Sequence, residues 1–371
     1  MRLFARSCVL ICICGSYLQV ASGQSSINPD ISVIPRFRIE TNDGAQLPAK
    51  REFGQPEFTM EEFEIALQAY LNPYARADIF LSKAGTGSEP LEIEEGYATF
   101  VRGLPFDLNL RVGKYLAEFG RLNPLHPHAL PFLTTPLSLE RFLGAEGVND
   151  LGISASVLLP TGEIYTKLTL DLLRGNSIAV LDPSGKSLAG GMGMLDTTGG
   201  RIYYANSARL MTFLPMGEDA DLEIGLSGLT GIHDPYGKYR FYYGNLDVKY
   251  KWKPDAYTAF TCQGEVLVNS RRLNPGSTVS SAGLFVFADY QFKKVFSVGT
   301  RYDYSEAPYS QDDKASAIAL FFGFYPVEET AAVRLQYQHT ILAPASAPKT
   351  EINSIALQFL FSMGPHKAHP F

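Results

Sequence analysis

From one end to the other this chain alternates apolar and polar residues with period two. "EIYTKLTLDLL" sets Ile164, Thr166, Leu168, Leu170 and Leu172 against Tyr165, Lys167, Thr169 and Asp171. "FEIALQAYL" sets Phe63, Ile65, Leu67, Ala69 and Leu71 against Glu64, Ala66, Gln68 and Tyr70, and "AVRLQYQHTI" and "SIALQFLF" repeat the pattern near the other end. Successive side chains of a strand point to opposite faces, so these segments read as strands with one apolar face. Beyond the N-terminal leader the longest strongly apolar piece is "AIALFFGFY", far short of the roughly 20 residues a membrane helix needs. Such a chain can hide its apolar faces in a soluble β-sandwich, or present them to lipid as a closed barrel with no unpaired backbone edge.

Two features favour the barrel. Large aromatics stand near strand ends on the apolar faces (Tyr250, Trp252, Tyr290, Phe292, Tyr302, Tyr304), as interfacial girdles require. The opposite faces carry charges deep in the strands (Asp78, Arg111, Lys167, Asp171, Asp247, Lys249, Arg301, Asp303, Arg334), which a water-filled lumen tolerates. The pattern predicts sixteen strands, near 31–40, 62–71, 74–82, 91–102, 106–115, 150–159, 163–173, 201–214, 220–229, 239–252, 256–268, 281–292, 295–304, 315–325, 329–341 and 351–362. Pro35 makes the first the weakest, but bacterial barrels have even strand numbers. Short turns such as Asn72-Pro73 and Lys293-Lys294 alternate with longer connections near 41–61, 83–90, 116–149, 174–200, 230–238, 269–280, 305–314 and 342–350. This is an all-β, transmembrane antiparallel barrel with periplasmic turns, external loops and both termini in the periplasm.

The ends fit export. A basic start, the apolar run "CVLICICGSYLQVA" and small residues at Ala21 and Gly23 form a signal peptide over residues 1–23, leaving 24–371 as one barrel domain. Three of the four cysteines leave with it, so only Cys262 remains, which excludes an internal disulfide framework and a multi-cysteine zinc site. The chain is acidic, net −6 before it loses two leader arginines, and nothing suggests a nucleic-acid partner.

The longest connection, 116–149, is the third external loop. Thr135 as N-cap, Pro136 at the first helical position, "LSLERFL" and Gly144 as terminator predict a short helix within it. A long loop with its own helix is expected to fold, here inward as a constriction lined by Glu118, Arg121, Glu140, Arg141, Glu146 and Asp150. Arg111 and Arg334 on the strands join this set. The same loop carries "LNPLHPHALPF", whose His126 and His128 lie two apart in a proline-stiffened stretch. Imidazoles so placed can share a zinc ion, with Glu118, Glu140, Glu146 or Asp150 as third ligand, or they can hydrogen-bond loop carbonyls or barrel side chains.

Three patches, "NPDISVI", "GRLNPLHPHALPF" with "FLGAEGVNDLGIS", and "GPHKAHPF", resemble bacterial outer-membrane proteins commonly labelled zinc-regulated TonB-dependent receptors, a group related to phosphate-selective porins. The resemblance implies metal-linked expression and energised uptake, yet the chain shows no plug and no TonB-contact segment. The expected function is therefore a porin-like channel for small polar solutes or ions, with lumen charges nearly balanced and no strong ion selectivity. A receptor barrel for a metal or metal chelate and a non-conducting barrel binding a partner through the tyrosine-rich stretch Asp234 to Gly244 are the alternatives. No catalytic motif surrounds His233 or His339, and no cofactor is expected apart from zinc at His126 and His128. The expected partners are outer-membrane lipid, the barrel assembly machinery that reads a terminal phenylalanine such as Phe371, and the solute itself; a homo-oligomer is left open.

Overall fold

A computed structural model of the protein describes residues 29–44, 55–85, 87, 90–175, 204–234, 239–327 and 330–365. The expected leader, the glycine-rich stretch 187–200 and the C-terminal His366, His369 and Phe371 lie outside them. Sixteen antiparallel strands pair in chain order and close into a barrel. They are β1 (Asp30–Asn42), β2 (Glu57–Asn72), β3 (Ala75–Ala84), β4 (Glu92–Phe100), β5 (Asn109–Leu116), β6 (Asn149–Leu159), β7 (Tyr165–Leu173) and β8 (Ala205–Pro215). Then follow β9 (Ala220–Asp234), β10 (Tyr239–Trp252), β11 (Ala259–Asn274), β12 (Ser277–Phe292), β13 (Phe296–Ala307), β14 (Ser310–Val327), β15 (Ala331–Ala343) and β16 (Thr350–Phe361). The strand count and order agree with the alternation in the sequence.

Closure explains how β1 tolerates Pro35. That strand pairs with β2 from Asp30 to Glu40, but its continuous ladder with β16 begins only at Arg36↔Leu360 and runs to Asn42↔Ser354, with a single bridge from Val33 to Met363 beyond it. A proline lacks a donor and fits where a strand has an open edge. Leu170, Leu335, Ile355 and Phe359 face outward and exposed, whereas Glu64, Gln68, Asp171, Arg334 and Gln358 face inward and are buried. An exterior that is apolar around a polar interior suits lipid outside, not water.

The wall is uneven in height, which corrects part of the expected loop pattern. Strands β4, β5 and β7 have 9, 8 and 9 residues, but β12 and β14 have 16 and 18. The long connections expected near 269–280 and 305–314 are instead strand: β11 and β12 are joined by Pro275-Gly276, and β13 and β14 by Pro308-Tyr309. The Asp234 to Gly244 stretch is likewise strand from Tyr239 onward, with Tyr242 outward and Tyr243 inward; residues 235–238 lie outside the described residues.

Candidate functional site: a loop across the lumen

Chain leaving β5 at Leu116 turns inward and crosses the lumen. Asn123 ties the base of the loop together: its Nδ2 donates to the carbonyl of Ala117 (2.8 Å) and its Oδ1 accepts the N–H of Val148 (2.8 Å). Glu265 on β11 holds the next turn, one carboxylate oxygen accepting the N–H groups of Arg121 (3.1 Å) and Leu122 (2.8 Å). Only a glycine fits beside it, because a Cβ on Gly120 (φ +68) would lie 2.3 Å from the other Glu265 oxygen. The helix α1 (Leu137–Leu143) ends at Gly144, as its sequence predicts. Its start differs: Pro136 is the N-cap, and Thr135 makes no side-chain cap.

The loop is seated on an apolar patch. Phe119, Leu122, Phe132, Leu139, Phe142, Leu143 and Val148 pack with Leu173, Leu229, Phe241, Tyr243, Leu267, Phe285, Phe287 and Phe321 on β7 and β9–β14. Each fully buried side chain of this kind contributes about 1.5–3 kcal/mol relative to exposure. Polar contacts frame the patch: Arg301 lies 4.3 Å from the centre of the Phe132 ring and donates to the Thr134 carbonyl (2.5 Å), and the Tyr243 hydroxyl donates to the Phe142 carbonyl (3.1 Å). The lumen at this level is therefore filled on one side, and charges such as Asp247, Arg301 and Asp303 are buried instead of lining open water.

Most of the residues singled out from sequence meet around the loop. Glu118 accepts from Lys167 (2.6 Å) and Thr169 (3.0 Å), and Arg121 reaches Glu223 (3.2 Å). Burial alone would raise the Glu118 carboxyl, but the Lys167 ammonium holds it below its ordinary value. Arg141 pairs with Asp313 (2.5 Å), Arg334 donates to the carbonyl of His128 (2.9 Å), and Arg111 stacks on Tyr97 (4.7 Å). Glu140 and Glu146 are exposed. Asp150 departs from the expectation: it sits on β6, buried, and accepts the N–H of Gly175 (2.6 Å) at the start of the next loop, so it braces a neighbour and does not line the narrow part.

His126 is the N-cap of a 3-10 turn (Pro127–Ala129) and His128 lies within it, their rings stacked 5.5 Å apart. None of the acids expected as a third ligand joins them. They meet Glu64 of β2 and the pair Glu94 and Glu95 of β4: Nδ1 of His126 lies 3.4 Å from Glu64 and 3.3 Å from Glu94, its Nε2 lies 2.8 Å from Glu95, and Nδ1 of His128 lies 3.3 Å from Glu64. Burial disfavours the charged form of His126, yet the neighbouring carboxylates of Glu64, Glu94 and Glu95 hold it well above its ordinary value, while burial draws His128 down.

Two recesses remain on the turn side of the loop, and they share Arg121, Leu125 and His128. In the second, Glu64, Glu95, Glu118 and Glu223 face Arg111, Arg121, Lys167 and Arg209. The first is one-sided: among the described residues it is lined by Arg121, Lys249, Lys251, Lys253, Lys294 and Arg334, with Asp289 as its carboxylate. The balance of lumen charge expected from the sequence does not hold there.

The closed sixteen-strand barrel has counterparts among solved structures. The chain matches the outer-membrane channel DcaP of Acinetobacter baumannii (TM-score 0.61, 11% identity, 92% of this chain and 99% of that one). It also matches the anion-selective porin from Comamonas acidovorans (0.58, 10%, 91% and 100%) and OprB of Pseudomonas putida (0.58, 9%, 91% and 94%). The fold is that of outer-membrane porins. An uncharacterized protein of Aquifex aeolicus is 28% identical over 96% of this chain and 83% of its own length. No family model matches. The receptor half of the resemblance drawn from sequence finds no support in these relatives.

Proposed function

We propose that the chain is a porin-like channel of the Gram-negative outer membrane, through which small polar solutes diffuse and in which anions are favoured. The observation that carries this reading is the lumen: a polar barrel interior narrowed by a seated third loop, with a cationic recess on the turn side. Fixed charges at a constriction select by sign, and rings or rows of lysine and arginine favour anions. The anion selectivity in the name of the Comamonas relative fits this reading without establishing it. His339 pairs with Asn353 (2.9 Å) and lends no support to catalysis. The purified barrel in a planar bilayer is expected to show open steps with no energy source and a reversal potential of anion-selective sign. Absence of any conductance would sink the channel; cation selectivity would sink the anion preference alone.

A further inference from the structure

We propose that Glu64, His126 and His128 bind one divalent transition-metal ion, with zinc as the natural fit, and that this ion clamps the third loop to the wall at β2. The inference stands apart from the channel reading, because it rests on ligand geometry and not on what crosses the pore.

The separations are those of ligands around an ion. The carboxylate Oε2 of Glu64 is 3.4 Å from Nδ1 of His126 and 3.3 Å from Nδ1 of His128, and the three residues each offer a ligand atom within 4.8 Å of the other two. Donors bound tetrahedrally at about 2.0–2.1 Å stand about 3.3–3.4 Å apart. Direct N–H···O bonds are shorter, at about 2.7–3.2 Å. Glu64 is 1% exposed, and neither of its carboxylate oxygens makes a hydrogen bond, nor does Nδ1 of His126. A carboxylate buried in this way is costly until a cation answers it.

The surroundings have the form of a metal's outer shell. Glu95 pairs with Nε2 of His126 at 2.8 Å, and its other oxygen accepts the N–H of Leu116 (2.8 Å), so a fixed carboxylate aims the imidazole with Nδ1 toward Glu64. Carboxylates bound to the far nitrogen of a ligating histidine orient the ring and raise its basicity. Glu94 stands 3.3 Å from the same Nδ1, near a fourth position. Two nitrogens and one oxygen suit zinc, cobalt or nickel; calcium and magnesium call for oxygen alone.

The test is calorimetry of the purified full barrel, stripped with chelator, against zinc alone, with cobalt spectra as a second readout of nitrogen ligation. One ion per chain is expected, with affinity about 100-fold weaker or worse in Glu64→Gln and in His126→Ala/His128→Ala, and about 10–100-fold weaker in Glu95→Gln. His366→Ala/His369→Ala removes the other histidine pair and is expected to change nothing. Heat-modifiable gel migration reports folding, and Glu64→Gln, nearly isosteric, carries the test if the alanine pair fails to fold. The proposal is overturned if wild type shows no saturable binding, if folded Glu64→Gln binds as wild type does, or if binding disappears with His366 and His369.

Discussion

The two sides of the third loop meet the barrel by different physics. Toward β9–β14 it is embedded in an apolar cluster: Phe132, Phe142 and Leu143 are at most 1% exposed. Toward β2, β4 and β7 it is held by charges: Glu118 to Lys167, and His126 to Glu64, Glu94 and Glu95. Apolar burial has no charge to screen or titrate, whereas charge pairs in a polar lumen depend on salt and pH. The first side is an anchor and the second an adjustable edge.

Mutations separate the two sides by size of effect. Phe142→Ala removes a fully buried ring and is expected to cost about 3–5 kcal/mol of loop seating, as other buried Phe→Ala changes do. The barrel would still form, but single-channel current would rise and become noisy; an unchanged current contradicts the anchor. Glu265→Ala leaves the N–H groups of Arg121 and Leu122 unanswered, at a cost of about 1–3 kcal/mol each. Faster amide exchange confined to the loop's first turn would show it. Lys249→Glu with Lys251→Glu is expected to leave folding intact and to lower the anion-to-cation permeability ratio by about 3-fold or more. An unchanged reversal potential would remove the cationic recess from selectivity.

On the adjustable edge, effects are smaller and pH-dependent. The Glu118 carboxyl titrates below its ordinary value, so its pairing with Lys167 contributes fully above the unfolded carboxylate range and is lost as pH falls through the lowered value. Wild type is thus expected to loosen its loop in acid, seen as increased protease nicking, and Glu118→Gln to lose that pH response at a cost of about 1 kcal/mol or less. Glu146→Gln, exposed and away from the contacts, is expected to stay within about 0.5 kcal/mol.

The strands are legible in sequence because lipid outside and polar lumen inside write alternation directly, as at Glu64, Ala66 and Gln68. The protruding hairpins are not, because both faces of Arg272, Ser277, Ser280, Asp312 and Asp313 are out of lipid and no apolar face marks them as strand. The loop's seat left a signal that alternation hid: Phe241-Tyr242-Tyr243, Phe285-Val286-Phe287 and Phe321-Phe322 are apolar on both faces, so something apolar must cover the inner one. His126 and His128 stand out by themselves, but Glu64 looks like any lumen-facing acid. Only closure of the barrel brings it to them.

The seating of the loop on the β9–β14 wall is tested most directly by a cross-link between α1 and β12. A Cβ on Gly283 would lie 2.8 Å from that of Ser138, a little inside the roughly 3.5–4.5 Å of a disulfide and within reach of a small shift. In a Cys262→Ser background, Ser138→Cys with Gly283→Cys is expected to oxidise to a disulfide in the folded barrel and leave its conductance at the wild-type value. Two thiols that stay reduced and open to alkylation would show that the loop does not rest there.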